Sequence, residues 1–118
     1  MIRVYVAGPY DGRNVMSVLA HIQAGLKVSN EFMSYGFAVY CPWLDFQLAL
    51  IDDDDVGVDA YRRNSMAWLE VSDAVFLLPD WPLSPGATAE RERALALGKP
   101  CFDRKQELFE WAQTRDVT

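Results

Sequence analysis

Side chains that bind metals or activate nucleophiles are scarce in this 118-residue sequence. His21 is the only histidine, and its place within a helical pattern argues against the Ser-His and Cys-His pairs of many hydrolases. The two cysteines, Cys41 and Cys101, lack the spacing of zinc ligands. We therefore expect no metal site, a structural role for His21, and two buried thiols that form no disulfide.

Basic clusters and long apolar segments are also missing. The net charge is −6 and the basic residues are scattered, so polymeric nucleic acid is not an expected partner. The amino-terminal segment lacks the basic flank and apolar length of a signal peptide or membrane span, which makes the cytoplasm the expected location and excludes a membrane partner. Repeats and Gly/Ser linkers are absent, and the length suits a single domain over 1–118.

Short apolar runs alternate with helical patterns along the chain. The expected strands are 2–7, 37–41, 74–78 and 101–102, and the expected helices run from Val15 to a stop at Gly36 and over 59–71, 87–97 and 105–114. Continuous apolar strands separated by helices are typical of a parallel sheet that is covered on both faces. The sequence thus predicts an α/β fold, a small doubly wound sheet of the flavodoxin-like or Rossmann-like kind.

Two segments have a distinctive pattern. The first helix has an apolar stripe, which predicts its buried face: Val15, Val18, Leu19, Ile22, Leu26 and Met33. The stretch 42–58 contains four consecutive aspartates at 52–55, which indicates a solvated and mobile loop rather than packed structure.

The turn from Ser84 to Glu90 is the most specific candidate for a site. It follows the expected third strand, and ligands of open α/β sheets gather at the carboxyl ends of strands. Glu90 lies in the first turn of the expected helix and shares a face with Ala87 and Ala94, so its carboxylate is expected to point inward. The positive end of the helix dipole would favour the ionised form that a nucleophile or general base requires. Acidic residues are favoured in any first helical turn, so an ordinary helix-start carboxylate is the alternative.

The junction after the first strand is a candidate phosphate site. It contains Gly8, Pro9 and Tyr10, reaches Arg13, and ends at a helix N-terminus, where free N–H groups favour anions. It matches neither of the common glycine-rich phosphate motifs, so a simple tight turn is the alternative.

Three motifs resemble the nucleoside 2-deoxyribosyltransferase-like superfamily, which includes the deoxynucleoside 5′-monophosphate N-glycosidases. They are the run 4–10 (VYVAGPY), the run 73–75 (DAV), and Ser84-x-Gly86-x-x-x-Glu90 followed by 94–100 (ALALGKP). The resemblance covers Arg3 to Phe102. It implies that Glu90 attacks the anomeric carbon of a (deoxy)ribose, that Tyr5 orients Glu90, and that hydrolysis or transfer follows from a covalent glycosyl-enzyme. It also implies a homo-oligomer and no cofactor.

Within this resemblance, Ser84 points to a nucleotide substrate. Members that act on monophosphates have a phosphate-contacting serine at this position, whereas transferases of free nucleosides have an aspartate. A hydroxyl can donate to a phosphate oxygen without repelling it. Ser84, Gly86 and the first junction are therefore the expected substrate contacts, although a serine before Pro-Gly is also an ordinary turn residue.

One position departs from the family pattern. Eight residues before Asp73, where the characterised enzymes usually have an aspartate, this chain has Ser65. After the second strand, Asp45 and Gln47 are candidates for contacting the base, as is Trp43, with core packing or a solvated loop as equal alternatives. The leading hypothesis is an enzyme that cleaves or transfers the N-glycosidic bond of a (deoxy)nucleoside 5′-monophosphate. The alternative is a noncatalytic nucleotide-binding or sensing module of the same fold.

Overall fold

Four parallel strands form the centre of the structure, a computed structural model that describes residues 1–45, 48, 51 and 57–115. The strands are β1 (Arg3–Ala7), β2 (Ala38–Tyr40), β3 (Ala74–Leu77) and β4 (Cys101–Phe102). Their order in the sheet is β2-β1-β3-β4, and every neighbouring pair is parallel. The predicted doubly wound α/β fold is confirmed.

The side chains of β1 alternate between two apolar clusters. Val4 and Val6 project to one face of the sheet, whereas Tyr5 and Ala7 project to the other. All four are almost inaccessible to solvent, as expected for a central strand that is covered on both sides. Tyr5 is therefore a buried residue of the second face.

In the described part of the chain, four α-helices cover the sheet: α1 (Val15–Ser34), α2 (Gly57–Glu70), α3 (Pro85–Ala96) and α4 (Lys105–Arg115). Phe32 of α1 and Leu108 of α4 join the first cluster, and Leu69 of α2 and Ala87 of α3 join the second. The face that contains Tyr5 is therefore the one covered by α2 and α3. None of the described helices has both the length and the apolar character needed to cross a membrane.

The expected apolar stripe of α1 is wrong. The buried residues of this helix are Gly25, Ser29 and Phe32, while Leu19 and Met33 are half exposed or more. The small residues are buried because they let α1 pack closely: the indole of Trp43 fills the space above Gly25. Packing partners, rather than hydropathy, decide which face of this helix is covered.

The segment after β2 is partly ordered, contrary to expectation. Pro42–Asp45 forms a 3₁₀ helix, and Trp43 within it is buried. The acidic run 52–55 lies outside the described residues, so its expected mobility stays a prediction.

The cysteines are both unbridged as expected, but only Cys41 is buried, and Cys101 is partly exposed.

Replacing Gly25 should destabilise the protein, because a Cβ at this position would lie 2.3 Å from two carbon atoms of the Trp43 ring. An alanine in a helix interior normally adds about 0.5–1 kcal/mol of stability relative to glycine. We expect Gly25→Ala instead to lower the free energy of unfolding by about 1–3 kcal/mol, measured by urea denaturation.

Gly86→Ala in α3 is the matched control, since a Cβ there would meet only Ser84 Oγ, at 3.9 Å. If Gly25→Ala were as stable as Gly86→Ala, the close packing between α1 and Trp43 would be refuted.

Candidate active site

The candidate site lies where β1 and β3 run side by side. The chain leaves β1 towards β2 on one side, and β3 pairs with β1 on the other, so the strand order reverses at this point. Ala7 is paired with Leu77, and the Leu78 N–H donates to the Ala7 carbonyl at 2.8 Å. A Cβ at Gly8 would lie 2.9 Å from the Cβ of Leu78, so only glycine fits without a shift. Both predicted junctions therefore begin next to each other, at the edge where ligands of such sheets bind.

Glu90 faces inward, as expected, but not from the first turn of its helix. α3 begins at Pro85, two residues earlier than predicted, because Ser84 caps it by accepting a hydrogen bond from the Ala87 N–H at 3.1 Å. Glu90 is thus in the second turn, beyond the part of the helix where the dipole acts strongly. It lies on the same face as Ala87 and Ala94, which are fully buried.

The sequence predicts an ionised Glu90, but the environment of its carboxyl in the structure favours the protonated form. Burial raises the pKa of its carboxyl to about 7, and hydrogen bonding by Tyr5 offsets part of that rise. At neutral pH this group is therefore divided between its two protonation states. A carboxyl with such a pKa is suited to exchange a proton or to attack a carbon atom as a carboxylate.

Tyr5 is the side chain of the sheet that acts on Glu90 as a hydrogen-bonding group. Burial raises the pKa of its phenol far above the usual range, and the charge of Glu90 raises it further, so Tyr5 remains a proton donor. Its Oη makes no hydrogen bond of ordinary geometry with the described residues. Even so, Glu90 and Ser65 both lie near enough to act on its pKa as hydrogen-bonding groups. Tyr5 and Glu90 are thus brought together as the sequence predicts.

A polar cluster adjoins Tyr5 on the side of β2. Tyr40 stacks on Tyr5 with the ring centroids 5.4 Å apart. Its hydroxyl lies 3.0 and 3.2 Å from the two carboxylate oxygens of Asp45 and accepts a hydrogen bond from Asn64 Nδ2 at 3.1 Å. Ser65 Oγ donates to Asp45 Oδ2 at 3.4 Å. Asp45 therefore joins the site through Tyr40 and Ser65.

The junction after β1 is held by side chains from other elements. Trp43 Nε1 donates to the Pro9 carbonyl at 3.3 Å, and His21 Nδ1 donates to the Tyr10 carbonyl at 3.2 Å. These bonds fix the backbone of the loop and give His21 the structural role that was predicted. Asn14 caps α1 by accepting a hydrogen bond from the Ser17 N–H at 2.9 Å, so one of the N–H groups expected to bind an anion is already used.

The remaining predicted contacts lie around these groups. Arg13 is exposed on the first junction. Ser84 Oγ is the acceptor in the helix cap, and its hydroxyl donates to no other group among the described residues, so its proton can be donated to a ligand. Packing does not require a glycine at position 86, because a Cβ there would meet only Ser84 Oγ, at 3.9 Å. Gln47 lies outside the described residues. Trp43, a candidate for contacting the base, packs instead in the core.

Two aromatic residues near the site were not predicted from the sequence. They are Tyr40 and Trp68, whose rings stack with their centroids 5.8 Å apart, and Trp68 is 52% exposed. Tyr40 could have been found from its place at the end of β2, the same edge as the other site residues. The position of Trp68 near the site could not be predicted, because its stacking partner Tyr40 is distant in the sequence.

The open cavity at the opposite edge of the sheet is separate from these groups. Its volume is about 220 Å³, and it lies between the start of β1 and α4, next to Met1, Tyr35 and Phe109. It contains none of the acidic or hydroxyl groups described above, so we assign the candidate site to the carboxyl edge.

Comparisons with known proteins give a family and a fold. A family model described as "Domain of unknown function (DUF4406)" matches residues 2–103. The chain belongs to the DUF4406 family. No curated protein matches the sequence.

Among solved structures, this DUF4406 chain is similar to a 2-deoxyribosyltransferase from the psychrotolerant bacterium Bacillus psychrosaccharolyticus, with a TM-score of 0.57. The two share 20% sequence identity over 84% of this chain and 69% of the other. At this identity the similarity concerns the fold, and it agrees with the fold expected from the three motifs.

The pKa of Glu90 predicts how stability depends on pH. Its folded pKa of about 7 is above the ordinary glutamate value of 4.5, so folding favours the protonated form. The contribution of Glu90 to stability is therefore greatest below pH 4.5 and is lost as the pH rises to about 7. A difference of this size corresponds to roughly 3 kcal/mol. We expect Glu90→Gln to be more stable relative to the wild type at pH 8 than at pH 4.5 by this amount, measured by urea unfolding.

The exposed Glu92 of the same helix gives a matched control, since Glu92→Gln makes the same chemical change without relieving a buried charge. A stability difference between Glu90→Gln and the wild type that does not vary with pH would contradict the raised pKa.

Proposed function

We propose that this protein cleaves or transfers the N-glycosidic bond of a (deoxy)nucleoside 5′-monophosphate, with Glu90 as the nucleophile. The observation that carries the proposal is the pair of Glu90 and Tyr5 at the point where the strand order reverses. The carboxyl of Glu90 is largely buried there and has a pKa of about 7, and the phenol beside it stays protonated. The fold shared with a 2-deoxyribosyltransferase supports this proposal.

The proposed reaction begins with ionised Glu90, to which Tyr5 donates a hydrogen bond. A carboxylate oxygen attacks the anomeric carbon, the carbon–nitrogen bond breaks, and its electron pair leaves with the base, which takes up a proton. Positive charge develops on the sugar during this step, and a carboxylate with no cationic partner stabilises it. No lysine or arginine lies within ion-pair distance of Glu90 in the described part of the chain.

The covalent intermediate is resolved by a second attack on the same carbon. Water then gives hydrolysis, and another base gives transfer, in both cases with retained configuration, and Glu90 is released as a carboxylate. The phenol of Tyr5 orients the carboxylate in both steps. No step of the proposed reaction requires a cofactor.

The phosphate of the substrate is assigned to the two junctions. Ser84 has a free hydroxyl proton to donate, and Arg13 is an exposed cation on the neighbouring loop. The junction loops begin side by side because Ala7 and Leu78 are hydrogen-bonded. The family resemblance further implies a homo-oligomer, and the exposed apolar residues of α1, such as Val15 and Met16, offer a surface for self-association that sedimentation experiments would test.

Release of free base tests the reaction. The protein is incubated with ribo- and deoxyribonucleoside 5′-monophosphates and with the matching nucleosides, and the products are separated by liquid chromatography. We expect base release from at least one monophosphate, and a loss of at least about a thousandfold in Glu90→Ala, because that variant lacks the nucleophile. The exposed Glu92→Gln serves as the control and should keep its activity.

Unchanged release by Glu90→Ala would eliminate Glu90 as the nucleophile. Calorimetry separates the enzyme from a noncatalytic module of the same fold: saturable nucleotide binding without release over long incubation would support the module. The absence of both binding and release would contradict both functions.

Ser84→Asp tests the preference for a monophosphate. Aspartate caps a helix about as well as serine, so α3 should remain folded, but its charge would oppose the phosphate. We expect kcat/KM for the monophosphate to fall by about tenfold or more relative to that of the corresponding nucleoside. Equal changes for both substrates would show that Ser84 does not contact the phosphate.

A further inference from the structure

The carboxylate of Asp45 is held in one position by residues from two other elements. It follows β2 within the 3₁₀ helix, and it is bonded to Tyr40 of β2 and Ser65 of α2. Asn64 of α2 donates to the Tyr40 hydroxyl, which directs the phenolic proton towards Asp45. A surface carboxylate that needed only solvation would not require such fixed partners.

All the groups that hold Asp45 are neutral. Arg93 forms an ion pair with Glu70, and Lys105 forms one with Glu31; neither pair includes Asp45. Hydrogen bonds from hydroxyl groups orient a carboxylate without neutralising its charge. Asp45 is therefore held by neutral hydrogen-bonding groups, and neither of these two ion pairs supplies it with a counter-ion.

The same set of contacts leads towards Glu90. Ser65 lies within hydrogen-bonding reach of Asp45 and close enough to Tyr5 to act on its pKa, and Tyr5 acts in the same way on Glu90. Tyr40, which is bonded to Asp45, also stacks on Tyr5, the residue that acts on Glu90. Hydroxyl and aromatic groups thus connect Asp45 to Glu90 across the ends of β1 and β2.

We propose that Asp45 is the second acidic group of the active site and stabilises the positive charge that develops on the sugar as the base leaves. This inference rests on the proposed function. Cleavage of a glycosidic bond through an oxocarbenium-like transition state is served by two carboxyl groups, and Glu90 supplies only one. A fixed negative charge facing that transition state lowers the barrier without reorganisation, and the hydroxyls of Tyr40 and Ser65 keep the charge in place.

This assignment gives Ser65 a role as a positioning residue. Its hydroxyl is 3.4 Å from Asp45 Oδ2, so a carboxylate on residue 65 would reach almost the same place as the carboxylate of Asp45. The negative charge could then be supplied from either element, the 3₁₀ helix after β2 or α2. This equivalence allows a test in which the charge is removed from one element and returned from the other.

The experiment compares base release by the wild type, Asp45→Asn and the double variant Asp45→Asn/Ser65→Asp. We expect Asp45→Asn to lower kcat by about a hundredfold with little change in KM, because the interaction is made chiefly in the transition state. The double variant should regain at least about tenfold of the lost kcat. Glu107→Gln, an exposed change of equal charge on the opposite face of the sheet, is the control and should match the wild type.

The outcomes separate this inference from the proposed function. If the wild type releases base and Asp45→Asn is within twofold of it, the inference fails and the proposed function stands. If the wild type releases no base from any nucleotide, both fail. Should Ser65→Asp disturb folding, as judged by circular dichroism, added formate should raise kcat in Asp45→Gly by supplying a carboxylate, and no increase would overturn the inference.

Discussion

The close pairing of β1 with β3 is the constraint on which the candidate site depends. The hydrogen bond from Leu78 to the Ala7 carbonyl extends this pairing beyond the strands, and Gly8 allows the two chains to remain in contact there. Because β1 is central, Tyr5 is directed to the face that α3 covers, and the inward face of α3 presents Glu90. A larger residue at position 8 would separate the two junctions and thereby alter the distance between phenol and carboxylate.

Electrostatics distinguish this edge of the sheet from the rest of the surface. Elsewhere, Glu70 is paired with Arg93 and Glu31 with Lys105. At the carboxyl edge, Glu90 and Asp45 are instead surrounded by phenols, a serine hydroxyl and apolar side chains. Under the proposed function, such a region would favour a sugar that becomes positively charged, and the substrate's phosphate would have to lie apart from the two acidic groups. The assignment of the phosphate to Ser84 and Arg13 meets that requirement.

Local sequence patterns predicted the fold, because strand and helix patterns depend on properties that act over short distances. The pairing of Tyr5 with Glu90 was instead implied by the resemblance to the nucleoside 2-deoxyribosyltransferase-like superfamily. The apolar runs of β1 and β3 gave the parallel sheet, and the turn at Ser84 gave the helix that carries Glu90. The same reasoning failed for α1, where the burial of Gly25 depends on Trp43, far along the chain. It also missed the link between Asp45 and Ser65, 20 residues apart, because no periodicity relates a 3₁₀ helix to a later α-helix. The raised pKa of Glu90 could not be predicted from the sequence either, since it is caused by burial under neighbouring elements.

The hydrogen bond from His21 to the Tyr10 carbonyl ties the loop after β1 to α1. A carbonyl oxygen can only accept, so the imidazole donates through Nδ1. The same loop is also bonded to the 3₁₀ helix after β2, because Trp43 donates to the Pro9 carbonyl. A change in the packing of either helix would therefore shift the loop that leads to Arg13.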